Sequence, residues 1–141
     1  MIRSAALAFA LFPSLVSAGD IAASDAYVPL APKGAMAHAA YMKLTNSGTK
    51  TRSLIGLKAP AYAMVHLHQS NEQDGVATMT AMDQVDIKPG QTIVLEPGGL
   101  HVMLMKPSDP VGLGDTVDLT LEFANGETLG VAANVVRLNG S

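Results

Sequence analysis

Apolar and polar residues alternate in short runs along most of this chain, and turn residues separate the runs. Alternation with period two marks strands that bury one face, and no run keeps the 3.6 period of a helix over helical length. The predicted strands are AYMKLTN (40–46), RSLIGLK (52–58), AMVHLHQ (63–69), VATMTAM (76–82), QTIVLE (91–96), LHVMLM (100–105), TVDLTLEF (116–123) and a last run TLGVAANVVRL (128–138). A first strand around IAASDAYV (21–28) brings the count to eight or nine, at the spacing of a sandwich or barrel. NEQDG (71–75) reads as an acidic loop, Lys88-Pro89-Gly90 and Pro97-Gly98-Gly99 as turns, and Asn125-Gly126 as a hairpin of the primed-turn kind. The fold expected is all-β, one antiparallel β-sandwich, without internal repeats or a second domain.

The first residues break this pattern. Arg3 precedes the apolar run AALAFALFPSLVSA, which ends on the small residues Ser17 and Ala18. Residues 1–18 therefore read as a secretory signal peptide cleaved after Ala18, leaving 19–141 as one exported domain. The run is too short to span a bilayer comfortably, and no later segment comes near spanning length. Losing the leader removes one base and no acid, so the formal charge moves from −3 to −4. Mild acidity without a Lys/Arg cluster argues against nucleic acid.

Composition changes the picture at one point. There is no cysteine, although an exported protein could form disulfides, and there are eight methionines. Stability must then come from packing, for which 48% apolar residues suffice. Any metal site must do without thiolate.

Strand alternation decides which side chains converge. In LHVMLM one face carries His101, Met103 and Met105, and the other Leu100, Val102 and Leu104. In AMVHLHQ, Met64, His66 and His68 oppose Val65 and Leu67. A single histidine in a strand is usually a surface or hydrogen-bonded residue, and a single methionine usually fills a gap. Three of the four histidines nevertheless fall in two strands that each pair them with methionine. Thioether and imidazole together suit copper(I); zinc prefers thiolate, imidazole and carboxylate, and calcium and magnesium prefer oxygen. A blue-copper centre needs a Cys thiolate and covalent haem needs C-x-x-C-H, so both are excluded.

The run His68, ten residues, Met79, twenty-one residues, His101, one residue, Met103 resembles the H-x10-M-x21-H-x-M signature of the periplasmic copper chaperone PCu(A)C family. SDAYV, AAYMKLTN, VHLH, DGVATM, LEPGGLHVMLM and GDTVDLTLEF agree with it, so the resemblance covers about Asp20 to Val136. It implies a cupredoxin-like Greek-key β-sandwich that holds one copper(I) through His68, Met79, His101 and Met103. It also implies delivery to an acceptor such as cytochrome c oxidase subunit II or another copper assembly factor. Ser70 stands where the family often has a further methionine, and His66 where it more often has an acid. His66 shares the face of His68 and is a secondary candidate. Met105 is expected to pack beneath the site, Met64 and Met82 in the core, and His38 in a solvated loop. The His/Met-rich C-terminal extension of some members is absent, which argues against a second copper site there.

Four rival readings bear weighing. Ser70, Glu72 and Asp74 invite a hydrolase, yet neither a G-x-S-x-G elbow nor a triad signature accompanies them, so no enzyme is expected. His66, His68 and His101 could hold zinc. General periplasmic copper buffering, or a purely structural sandwich, would fit the same strands.

Overall fold

The computed structural model describes residues 16–138. The chain forms eleven strands in this span: β1 Val16–Ala18, β2 Ile21–Pro29, β3 Ala37–Asn46, β4 Arg52–Lys58, β5 Tyr62–Gln73, β6 Val76–Ala81, β7 Val85–Ile87, β8 Thr92–Leu95, β9 Leu100–Pro107, β10 Thr116–Phe123 and β11 Thr128–Val136. The leader expected over residues 1–18 lies outside the described residues except for β1, whose backbone pairs with β2. No helix among the described residues is long and apolar enough to cross a membrane. The fold is the expected all-β, cupredoxin-like Greek-key sandwich.

Hydrogen-bonded neighbours run β6-β5-β9-β3-β2-β11-β10-β4-β7, with β8 also on β3. Strand β3 ties the two layers together. Its first half, Ala37 to Ala40, pairs with β9, and its second, Met42 to Thr45, pairs with β8. Every described pair is antiparallel except β11 with β2. There the last strand returns beside β2, the first long strand of the layer. A bulge in β2 between Ser24 and Tyr27, with Asp25 at φ 55°, adjusts the register there.

Alternation places the core. β10 and β11 bury Val117, Leu119, Leu121 and Phe123 against Leu129, Val131, Ala133 and Val135 and leave the intervening residues largely in water. Met42, Leu44, Leu54, Leu67, Val102 and Leu104 complete the same apolar cluster.

One polar residue is fully buried and fully satisfied. Asn46 Nδ2 donates to Lys50 O at 2.7 Å and to Ile87 O at 2.9 Å, while Oδ1 accepts from Gly48 N at 3.0 Å. Its backbone bonds to Gln91 O and Gly90 N as well. The end of β3, the 47–50 turn and β7 are therefore held by a single amide.

Two turns differ from expectation. Gln73 pairs with Val76, so the hairpin loop is only Asp74-Gly75, with φ of 54° and 78°. Positive φ at both residues is the type I′ geometry whose twist matches a two-residue hairpin. Asn71 to Gln73 are thus strand, not loop. At Asn125-Gly126 only Gly126 has positive φ, at 89°, and Phe123 N bonds Glu127 O. This is a three-residue loop ending in a left-handed glycine, not the primed turn expected there.

Replacing Asn46 with Ala should cost about 2 to 3 kcal/mol, because it removes the partner of three backbone groups on two segments, Gly48 N and Lys50 O in the turn and the buried Ile87 O in β7. Urea unfolding measures this, and a loss below about 0.5 kcal/mol would contradict the role assigned to the amide.

Candidate metal centre

The site is built by the pairing of β5 with β9. Leu67 opposes Val102 and Val65 opposes Leu104, and this apolar set faces the core. Directly opposed residues in an antiparallel pair share a face, and successive residues switch faces. The outer face is therefore a ladder of cross-strand rungs: His68 with His101, His66 with Met103, and Met64 with Met105.

The two histidines share one rung, ring centroids 5.8 Å apart and tilted by 66°. His101 is buried, and Nδ1 lies 3.1 Å from Gly99 O. A carbonyl only accepts, so Nδ1 carries the hydrogen and Nε2 the lone pair. The same Gly99 carbonyl accepts from Ser70 N at 3.1 Å, which ties the imidazole's orientation to the backbone of β5. On its other side His101 meets the Tyr41 ring at 6.4 Å, and Tyr41 meets Tyr27 at 5.4 Å.

Two nitrogen atoms on this rung have no protein partner. His101 Nε2 and His68 Nδ1 are both buried without a hydrogen bond. Buried polar atoms are nearly always satisfied, so two orphans on one rung mark a place completed by something other than the protein. Burial, and then the neighbouring His101 and His66, push the His68 imidazole below the ordinary histidine range. His68 is thereby kept neutral, the form that can donate a lone pair.

The methionines flank this rung. Met103 stands on the adjacent rung, half-buried, opposite His66 on one side and Ala39 on the other. Met79 pairs with Ser70, one rung beyond His68 in the other direction. The type I′ turn at Asp74-Gly75 fixes that register and puts Met79 on the face of His68. Diagonal neighbours lie within reach of long side chains, and methionine has three rotatable bonds. Met79 is 60% exposed, on the edge strand of its layer.

The remaining candidates fall as follows. His66 is exposed and stacks on His68 with centroids 6.2 Å apart. Met82 packs against the core as expected. Met64 does not, being 41% exposed, because it shares the outer face with His66. Met105 lies on that face too, one rung beyond Met103. His38 is no solvated loop residue. It lies in β3 opposite Leu104, 7% exposed, with Nδ1 2.9 Å from the Tyr62 hydroxyl. Glu72 and Asp74 form no acid–base pair with the histidines. Among the described residues no group of three or more His, Cys, Asp or Glu side chains is placed to hold a metal ion. The histidine-and-carboxylate zinc arrangement thus lacks its donors. Sequence reasoning missed Gly99 and Tyr41, whose parts are played by a carbonyl and a ring edge.

These features define a class: a cupredoxin-like sandwich with soft donors on the outer face of one layer. The family described as "Putative lipoprotein LpqE-like" matches residues 21–135. The chain belongs to this family, that of the PCu(A)C copper chaperones. It is 33% identical over 125 residues to a relative described as "Putative lipoprotein Lxx21020" from Leifsonia xyli subsp. xyli, covering 88% of this chain and 74% of the relative. It resembles the copper(I) form of DR1885 from Deinococcus radiodurans at 34% identity and TM-score 0.66, covering 81% and 76% of the two chains. Similarity to the copper-bound PCuAC domain of PmoF2 is one of fold, with TM-score 0.74 at 22% identity over 89% of this chain and 99% of that one.

Acid should weaken the fold through His68. Its contribution is complete above the ordinary histidine value of about 6.5 and is lost as pH falls through the lowered folded-state value. Thermal melts of metal-free protein between about pH 7.5 and about pH 5 should show a smaller acid loss for His68→Gln than for wild type. An equal loss in both would contradict a neutral, desolvated His68.

Proposed function

We propose that this protein is an exported carrier of copper(I), held by His68, Met79, His101 and Met103. The single observation that carries the proposal is the pair of orphaned imidazole nitrogens on one rung. Their rung lies between those of Met79 and Met103, and the chain has no cysteine to supply a thiolate. Two neutral nitrogens and two neutral sulfurs suit a soft monovalent cation, and methionine neither protonates nor forms disulfides in an oxidising compartment. The likeness to a copper(I)-loaded protein at 34% identity supports the same cargo. The lipoprotein names of its relatives support export, and we place the protein in the periplasm after removal of residues 1–18.

The unequal burial of the donors suggests how the ion is handed on. His101 is oriented by Gly99 and enclosed, whereas Met79 is an exposed arm on the edge strand of its layer. An acceptor's ligand reaches Met79 first. The thioether leaves, copper passes through a shared-ligand state, and the imidazoles release last. The acceptor class we propose is a periplasmic copper protein, such as cytochrome c oxidase subunit II or another copper assembly factor. Such a carrier turns nothing over.

Anaerobic titration with copper(I) against a chelating competitor tests the donor set. Met79→Ala should weaken copper(I) binding at least about tenfold and leave zinc binding unchanged. Full copper(I) affinity in the variant would remove Met79 from the site, and equal losses for both metals would show that Met79 supports the fold of the site and is not a selective soft donor.

A further inference from the structure

The outer face of β5 and β9 continues past the rungs used above. Met64, His66 and Met105 have no part in the copper(I) site just proposed, yet they occupy the next two rungs in unbroken register. Rungs on one face are two residues apart, roughly 7 Å along the strands. A column of His-His, His-Met and Met-Met pairs is therefore one continuous strip of nitrogen and sulfur, without carboxylate or hydroxyl.

This strip is not gap filling. The core lies on the opposite face, where Val65, Leu67, Val102 and Leu104 already pack. Met64 is exposed, His66 is exposed and Met105 is half-buried. Its flanks carry few bulky side chains, although β4, Met82 and Asp83 line a shallow pocket beside His66. β3 presents only alanines alongside, Ala37 opposite Met105 and Ala39 opposite Met103, so no bulky side chain shields the thioethers. On the other side β6 pairs with β5 from His68 onward, which leaves the edge of β5 at His66 and Met64 without β6 beside it. The stacked His66 and His68 rings bring the two groups of donors within one side chain of each other.

We propose that Met64, His66 and Met105 form a second soft-cation site that takes copper(I). Met103 lies between the two sites as the thioether over which an ion passes. The donors are of the same chemical class as those of the first site, but more exposed and without an oriented, buried imidazole. Two cations on neighbouring rungs repel each other, so the second ion binds at least about tenfold more weakly than the first. A weak, exposed site beside a tight, enclosed one is a landing place for incoming metal. That role rests on the copper(I) reading of the first site, whereas the binding site itself does not.

Silver(I), a soft cation that does not change oxidation state, is the probe for full-length mature protein labelled at the methionine methyls. Wild type should take two equivalents by native mass spectrometry. The first should shift the Met79 and Met103 methyl resonances, and the second those of Met64 and Met105. Replacing Met64 and Met105 with Leu and His66 with Gln keeps volume and should abolish the second equivalent only. His101→Ala should weaken the first and keep the Met64 and Met105 shifts. Saturation of wild type at one equivalent, or a second equivalent surviving the triple substitution, would overturn the proposal. Shifts at Met64 and Met105 with Met79 and Met103 unmoved would uphold this site and refute the first.

Discussion

Everything at the His/Met face depends on the register of β5 against β9. Leu67, Val102 and Leu104 are buried on one side of this pair, and burying each is worth about 1.5 to 3 kcal/mol. A slip of one residue would turn these side chains to water and drive His68 or His101 into the core, so the apolar set permits one register only. The energy that closes the sandwich is thus the energy that sets His68 opposite His101. No interaction between the donors themselves is needed to bring them together.

Given that register, local geometry does the rest. The Asp74-Gly75 turn sets β6 so that Met79 falls on the histidine face, and the Gly99 carbonyl turns His101 so that its lone pair points away from the backbone. What remains is a defect by the usual rules of folding, since two buried nitrogens lack hydrogen bonds. Each unsatisfied group costs stability, and the fold tolerates the pair because its large apolar core lies on the opposite face. A metal-free protein that keeps such a defect is prepared for a ligand: the two imidazole nitrogens are already buried and without protein partners before an ion arrives.

The strands were legible where alternation is sharp and long. RSLIGLK and TVDLTLEF match β4 and β10 residue for residue. β7 escaped because three residues cannot show a period. The turns exchanged identities for a physical reason: dipeptides of the Asx-Gly kind permit a primed turn, but the strands on either side decide whether two or three residues bridge them. His38 escaped because it lies among alanines, which carry no contrast between a buried and an exposed face. Met64 was misplaced against its own alternation, which already put it beside His66. At the site, the His/Met faces of β5 and β9 could be read from periodicity alone. Met79 could not, because all six residues of β6 are exposed and the strand shows no buried face; its candidacy came from spacing shared with a family. The orphaned nitrogens and the carbonyl that orients His101 depend on atoms that no residue pattern reports.

The central claim is that one copper(I) is held by two imidazoles and two thioethers. X-ray absorption at the copper edge, on protein loaded anaerobically with a single equivalent, tests it most directly. A copper(I) ion held in this way should show a first shell of two nitrogen and two sulfur scatterers, with one sulfur lost in Met79→Ala. A shell of nitrogen and oxygen alone would contradict it.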